Sequence, residues 1–168
     1  LDLCSQIYVL DDHSTDATAD ICASFGERGT LFPSPCTGLD EARDKNYLLE
    51  KVIEASPDWV LWIDGDEVLE RSGPQKLREA ADRATSEIAG YSLRIAYLWD
   101  DRRQVRIDGL WGRFHRASFF RLQGQPLADL RFQTTTFGGN LHCGNTPQGL
   151  IGEMPQIEVR LKHYGYLE

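Results

Sequence analysis

The stretch Trp59-Val-Leu-Trp-Ile-Asp-Gly-Asp-Glu67 is an apolar run that ends abruptly in acid. Five β-branched, aromatic and aliphatic residues bounded by Ser56-Pro-Asp58 read as a buried strand, too short for a helix of similar composition. Three of the next four residues are carboxylates. The same arrangement occurs upstream, where Gln6-Ile-Tyr-Val-Leu10 opens into Asp11-Asp-His-Ser-Thr-Asp16. Between the two lie amphipathic segments. One is a helix to about Phe25 with Ala17, Ile21 and Phe25 inward and Gly26 as its stop. After a short strand at Thr30–Phe32, residues 39 to 55 form a second helix, its core stripe Leu39, Ala42, Leu49, Val52 and Ile53. Strands alternating with helices predict an α/β domain with a mostly parallel sheet flanked by helices. Ligands of such sheets bind beyond the carboxyl ends of the strands, so both acidic clusters are expected at one crevice.

Downstream, Ser72 is placed to cap a helix from Pro74 to about Ser86, proline being tolerated in the first turn. Tyr91 to Leu98 alternates with period two and reads as a half-exposed strand, with Tyr91, Leu93, Ile95 and Tyr97 on one face. Val105–Ile107, Ser118–Arg121 and Ile157–Leu161 are further strands, and Thr134 to Gly144 is a glycine-rich loop. No repeat or linker interrupts the chain. The expectation is one domain over residues 1–168 with an irregular, strand-rich last third.

Composition narrows the class. In 168 residues, 41% are hydrophobic and 10% aromatic, which excludes a disordered chain. The longest strong apolar run is five residues, far short of the roughly 20 a membrane span needs. The net charge of −8 is uneven: residues 1–70 carry 16 acids against 4 bases, and residues 71–168 carry 10 against 14. An acidic first half disfavours nucleic acid as a partner. Carboxylates about 4 Å apart repel by roughly 4 kcal/mol per pair at an effective dielectric near 20. A hard divalent cation with oxygen ligands is therefore expected among them. Cys4, Cys22, Cys36 and Cys143 show no C-x-x-C pair, and no signal-like segment opens the sequence. These features predict reduced thiols and a cytoplasmic location. A zinc pair at His142 and Cys143 lacks a second pair at ligand spacing.

Taken together, Asp11-Asp-His-Ser-Thr-Asp16 after a strand, Arg43 and Asn46 in a helix, and Asp64-Gly-Asp-Glu67 after another strand resemble the family-2 glycosyltransferases of the Rossmann-like GT-A fold. The motifs cover most of residues 6–70. His163-Tyr-Gly-Tyr166 looks like a further element of that family. The resemblance implies a nucleotide-diphosphate sugar as donor, Mn²⁺ or Mg²⁺ as cofactor, and a glycan, lipid or protein acceptor. It makes residues 1–70 the nucleotide-sugar half and 71–168 the acceptor half. It further implies that Asp11, with Asp12 and the Ser14–Asp16 loop, shapes the base pocket, and that Arg43 approaches base or phosphate. Asp64 would touch the ribose and Asp66 would hold the metal. His163 would be a second metal ligand or a phosphate contact. Position 44 is Asp where the family often has Asn. The family places a strand and helix before the first acidic strand, so the sequence also reads as an N-terminally truncated domain.

Such enzymes usually invert the anomeric centre with a carboxylate as base. Asp108 and Glu153 are the candidates here. His13, His115 and His142 read first as structural residues. Tyr97, Trp99 and Trp111 are either core aromatics or a stacking wall for a sugar. Two other enzyme or signalling classes fit the order of motifs less well: a D-x-D phosphatase, which wants its motif at the first strand, and a receiver domain, which wants a lysine where Lys76 and Lys162 do not fall. A nucleotide-sugar binding module without turnover is the remaining alternative.

Overall fold

The structure, a computed structural model, describes residues 3–38, 40–137 and 140–167, with backbone only over 135–137 and 140–142. Along the chain come β1 (Ile7–Asp11), α1 (Thr18–Ala23), β2 (Gly29–Pro33), α2 (Glu41–Glu54), β3 (Trp59–Leu61), β4 (Glu67–Leu69), α3 (Gly73–Arg83), β5 (Gly90–Trp99), β6 (Asp101–Val105), β7 (His115–Arg121), β8 (Thr135–Phe137), β9 (Asn140–His142) and β10 (Gln156–His163). They form two compact units, Leu1–Ser56 with Arg131–Cys143 and Pro57–Leu130 with Gly144–Glu168. Residue 70, the expected boundary between a nucleotide-sugar half and an acceptor half, falls inside the second unit.

In the first unit β1 and β2 pair in parallel, from Ile7 opposite Gly29 to Asp11 opposite Pro33. β1 is half-buried at every position rather than buried on both faces. Among the described residues β2 is its sole strand partner. α1 ends at Ala23, and Gly26, with φ +60°, starts a 3₁₀ turn in the left-handed region glycine tolerates. Its inward face is shifted by one residue from the expected one: Cys22 is buried and Ile21 exposed. α2 begins at Asp40, whose carboxylate accepts the Arg43 N–H at 3.0 Å. Leu49 and Val52 are buried as its period predicts, while Leu39 lies outside the described residues. The Asn46 amide clasps the backbone of Phe132, donating to its carbonyl at 2.9 Å and accepting its N–H at 2.7 Å. Beyond Phe132 the expected glycine-rich loop contains an antiparallel pair, β8 with β9.

The second unit is built on a sheet of order β3-β7-β5-β10-β4, with β6 paired to β5. Only β5 and β10 run parallel; the other pairs are antiparallel. The α/β class holds, and the mostly parallel sheet is corrected to mixed. Close connections such as that between β5 and β6, which only Asp100 joins, permit antiparallel pairing alone. β3, expected as the strongest strand over 59–63, is a short half-buried strand at the sheet's edge, and the Trp62 N–H extends its ladder to the Ser118 carbonyl at 2.7 Å. β1 and β3 belong to different sheets.

β5 sits at the centre. Tyr91, Leu93 and Ile95 are buried in alternation, but Ala96 and Leu98 are buried too, so the strand is covered on both faces. The 106–114 segment bonds back to it: the Arg94 guanidinium donates to the Gly112 carbonyl at 2.9 Å and the Ile95 N–H to the Phe114 carbonyl at 3.0 Å. Trp59, Phe119 and Tyr91 stack, the first two with ring centres 4.8 Å apart. α3 buries Leu77 and ends at Arg83, three residues before the expected Ser86. Ser72 holds its cap position without a side-chain hydrogen bond. Among the described residues no helix is long and apolar enough to cross a membrane. No disulfide joins the four cysteines, of which Cys22 and Cys143 are buried and Cys4 and Cys36 exposed.

Candidate active site

The turn between β3 and β4 is closed from both ends. The Glu67 N–H donates to the Asp64 carbonyl at 3.1 Å, and the Asp64 N–H donates to Glu67 Oε2 at 3.0 Å. The Glu67 side chain is fully buried and pairs with the Arg116 guanidinium from β7. A buried carboxylate is tolerated only with such a partner. Arg116 reaches Asp64 Oδ2 with its other nitrogen at 3.3 Å, and the buried Asn145 amide donates to the same oxygen at 3.2 Å. Asp64 is thus held from two distant segments. Neither Arg116 nor Asn145 carries a motif that would have found it, and Glu67 was legible only as the end of the acidic turn.

Asp66, one residue beyond the turn's glycine, is held differently. Its backbone carbonyl accepts the Tyr164 N–H at 2.9 Å, and its carboxylate, 43% exposed, stands 3.5 Å from His163 Nε2. The two lie on paired strands or their ends, since β10 runs antiparallel to β4 with His163 opposite Glu67. Gly165 is part of the arrangement: a Cβ there would fall 2.5 Å from Asp66 Oδ2 and 2.6 Å from His163 Cε1. The Gly165 N–H also donates to His163 Nδ1 at 3.1 Å, which leaves the proton of a neutral ring on Nε2, facing Asp66.

This donor set can be tested against a divalent cation. A carboxylate oxygen and an imidazole nitrogen 3.5 Å apart are spaced as two ligands of one ion. A metal-bound histidine, however, normally donates its second ring N–H to an acceptor, whereas Nδ1 here accepts one. The set fits a cation on the Asp66 carboxylate, with His163 offering an N–H to that carboxylate or to a phosphate oxygen. Among the described residues no three His, Cys, Asp or Glu side chains gather to hold a metal without further ligands.

His163 opens an aromatic cluster. Its ring stacks on Tyr166 at 5.4 Å and lies 5.1 Å from Tyr97, whose hydroxyl pKa burial pushes up. Trp111 meets Tyr97 edge-on at 4.7 Å. Arg106 lies over both Trp99 and Trp111, 4.5 Å from each ring centre, and its guanidinium grips Asp108 with bonds of 2.7 and 3.1 Å. That hydrogen bond lowers the Asp108 pKa and raises that of Arg106. Asp108 is accordingly a weaker base than a solvated carboxylate. Glu153 hydrogen-bonds Ala89 and Gly90 through its carbonyl, at the start of β5. Seven residues separate Gly90 from Tyr97, about 23 Å at some 3.3 Å per residue, so Glu153 stands at the far end of the sheet from His163.

In the first unit the bonded acids of the Asp11–Asp16 loop are used locally. Asp11 Oδ1 accepts the Ser14 N–H at 3.2 Å. Asp16 accepts both the N–H and the hydroxyl of Thr18, at 3.0 and 2.5 Å, and the hydroxyl bond holds its pKa low. Asp12 and Ser14 are exposed. Arg43 is committed to its neighbour: Nε and Nη2 bind Asp44 at 2.8 and 3.1 Å, and Nη2 reaches the Gly38 carbonyl at 2.8 Å. The aspartate at position 44 is therefore what holds Arg43. His13 bonds the Cys36 carbonyl and His115 that of Arg113, both structural. The His142 side chain, half of the zinc pair, lies outside the described residues.

Residues 3–141 match the model of the glycosyl transferase family 2, and the chain belongs to that family. It is also similar to uncharacterized proteins of Mycobacterium bovis and Mycobacterium tuberculosis. Each is 31% identical over 170 residues, covering 95% of this chain. The chain spans 40% of the length of these relatives.

Proposed function

We propose that the chain transfers a sugar, with inversion, from a nucleoside-diphosphate sugar to an acceptor, and that Asp66 holds the Mn²⁺ or Mg²⁺ this requires. The observation that carries the proposal is the Asp66–His163 pair at 3.5 Å, wrapped by a glycine with no room for a side chain. A divalent cation there supplies Lewis-acid stabilisation of the departing diphosphate. Asp66 binds it, and His163 donates its Nε2 proton toward a phosphate oxygen. Asp64, oriented by Arg116 and Asn145, accepts hydrogen bonds from the ribose hydroxyls. The assignment of Asp11, Asp12, Ser14 and Asp16 to the base, and of Arg43 to base or phosphate, is carried by the family motif. Asp108, while Arg106 holds it, is a weaker base than a solvated carboxylate.

Calorimetry with UDP and GDP tests the reading. Binding is expected with Mn²⁺ and lost with chelator or in Asp66→Ala, and saturation at 100 times the dissociation constant should stabilise the fold by about 2.7 kcal/mol. Equal affinity with and without metal would refute it. The held state of Asp108 and the remoteness of Glu153 favour a second reading, a donor-binding module without turnover. Metal-dependent binding without sugar transfer to any acceptor would select it.

A further inference from the structure

Beside the aromatic cluster the second unit has an open hollow of about 250 Å³ lined by Trp99, Gln104, Val105, Arg106 and Asp108. We propose that this hollow seats one sugar ring of the acceptor, which makes the acceptor a glycan; the inference rests on the transferase reading above. The volume lies below the roughly 300 Å³ at which pockets for drug-sized molecules begin, which suits a single ring. The chemistry of the walls is that of saccharide recognition. One face of a pyranose is a patch of C–H bonds that lies against an aromatic or aliphatic surface, here Val105 and the part of Trp99, 42% exposed, that Arg106 does not cover. Its rim is a belt of hydroxyls that need paired donors and acceptors. Asp108 spends only two of its about four lone-pair sites on Arg106. Gln104 adds an exposed amide that donates and accepts. Arg106, clamped by Asp108 and packed over two indoles, cannot collapse into the space.

Position matters as much as composition. Trp99 lies 5.2 Å from Tyr166, which stacks on His163, itself 3.5 Å from Asp66. A ring against Trp99 in the hollow therefore sits three aromatic side chains, Trp99, Tyr166 and His163, from the carboxylate proposed to hold the metal. The competing occupant is an anionic membrane, since Ile107 and Leu110 nearby are 75% and 81% exposed. Between Trp99 and Phe114, however, four arginines face three aspartates, so the segment's charge nearly cancels and offers such a surface little attraction.

Saturation-transfer NMR with the methyl glycosides of glucose, galactose, mannose and N-acetylglucosamine at millimolar concentration tests this. At least one glycoside should receive saturation at its ring C–H protons from the native chain. The signal should fall at least fivefold in Trp99→Ala and at least twofold in Gln104→Ala, a substitution at an exposed position. UDP and GDP affinity with Mn²⁺ should stay within twofold in both. No signal from any glycoside, or an equal signal in both variants, overturns the proposal. So does binding to phosphatidylserine vesicles that Ile107→Asp abolishes while the glycosides stay silent. Trp99-dependent sugar binding without any nucleotide binding would instead sink the transferase reading and leave the sugar site standing.

Discussion

The two acidic loops have similar sequences and opposite physics. In Asp11–Asp16 each bonded carboxylate finds its partner within three residues: Asp11 on Ser14, Asp16 on Thr18. In Asp64–Glu67 Glu67 also accepts the nearby Asp64 N–H, but every carboxylate has a partner from afar: Glu67 and Asp64 in Arg116, Asp64 again in Asn145, Asp66 in His163. A motif built on local bonds is self-sufficient and exposed. A motif built on distant partners carries buried charge, and its geometry depends on the whole second unit.

The sharpest way to break this contrast is Arg116→Leu. It strands Glu67 as a buried, unpaired carboxylate, a change that costs about 3–5 kcal/mol. Thermal unfolding should fall by on the order of 10 °C. Asp12→Asn, on the exposed loop, should stay within about 0.5 kcal/mol of the native chain. A double variant, Arg116→Leu with Glu67→Leu, should recover most of the loss. If Arg116→Leu unfolds like Asp12→Asn, the second loop is no more dependent on distant partners than the first.

Gly165→Ala follows in size. The new Cβ forces Asp66 and His163 apart, an overpacking cost of about 1–3 kcal/mol, and should weaken metal-dependent UDP or GDP binding at least tenfold by calorimetry. Unchanged affinity would mean that the pair is not part of the site. A smaller effect separates the two roles of His163. As a phosphate contact through Nε2–H, it predicts that His163→Gln lowers affinity without changing the Mn²⁺-to-Mg²⁺ preference by more than twofold. A collapse of that preference would make the imidazole a ligand, since nitrogen donors suit Mn²⁺ better than Mg²⁺. The smallest effect is at Asp108. Its Arg106 bond depresses the pKa, so the pair is complete above the ordinary carboxylate range near 3.9 and is lost as pH falls through the lower folded value. Carboxyl NMR titration should show the midpoint rising toward the ordinary value in Arg106→Ala.

Much of this molecule was legible along the chain because it depends on neighbours. Strand existence at Ile7–Asp11 and Gly90–Trp99 and the buried Leu49 and Val52 of α2 all follow from local bonding and periodicity. The family motifs were legible for the same reason. Strand partners were not: apolar runs announce burial but carry no direction, so a mixed sheet and a parallel one look alike until the connections are packed. The one-residue shift of α1's buried face has the same origin, since the helix is only six residues long and its packing sets its rotation. By itself the sequence determined that acids would follow two strands, and the family resemblance pointed to His163 beside Asp66. Only the tertiary structure chose Arg116 and Asn145 as the partners of Asp64, and Gly165 as the wall of the Asp66–His163 pair. A buried charge takes whichever partner the packed fold brings within reach, and reach is a property of three dimensions.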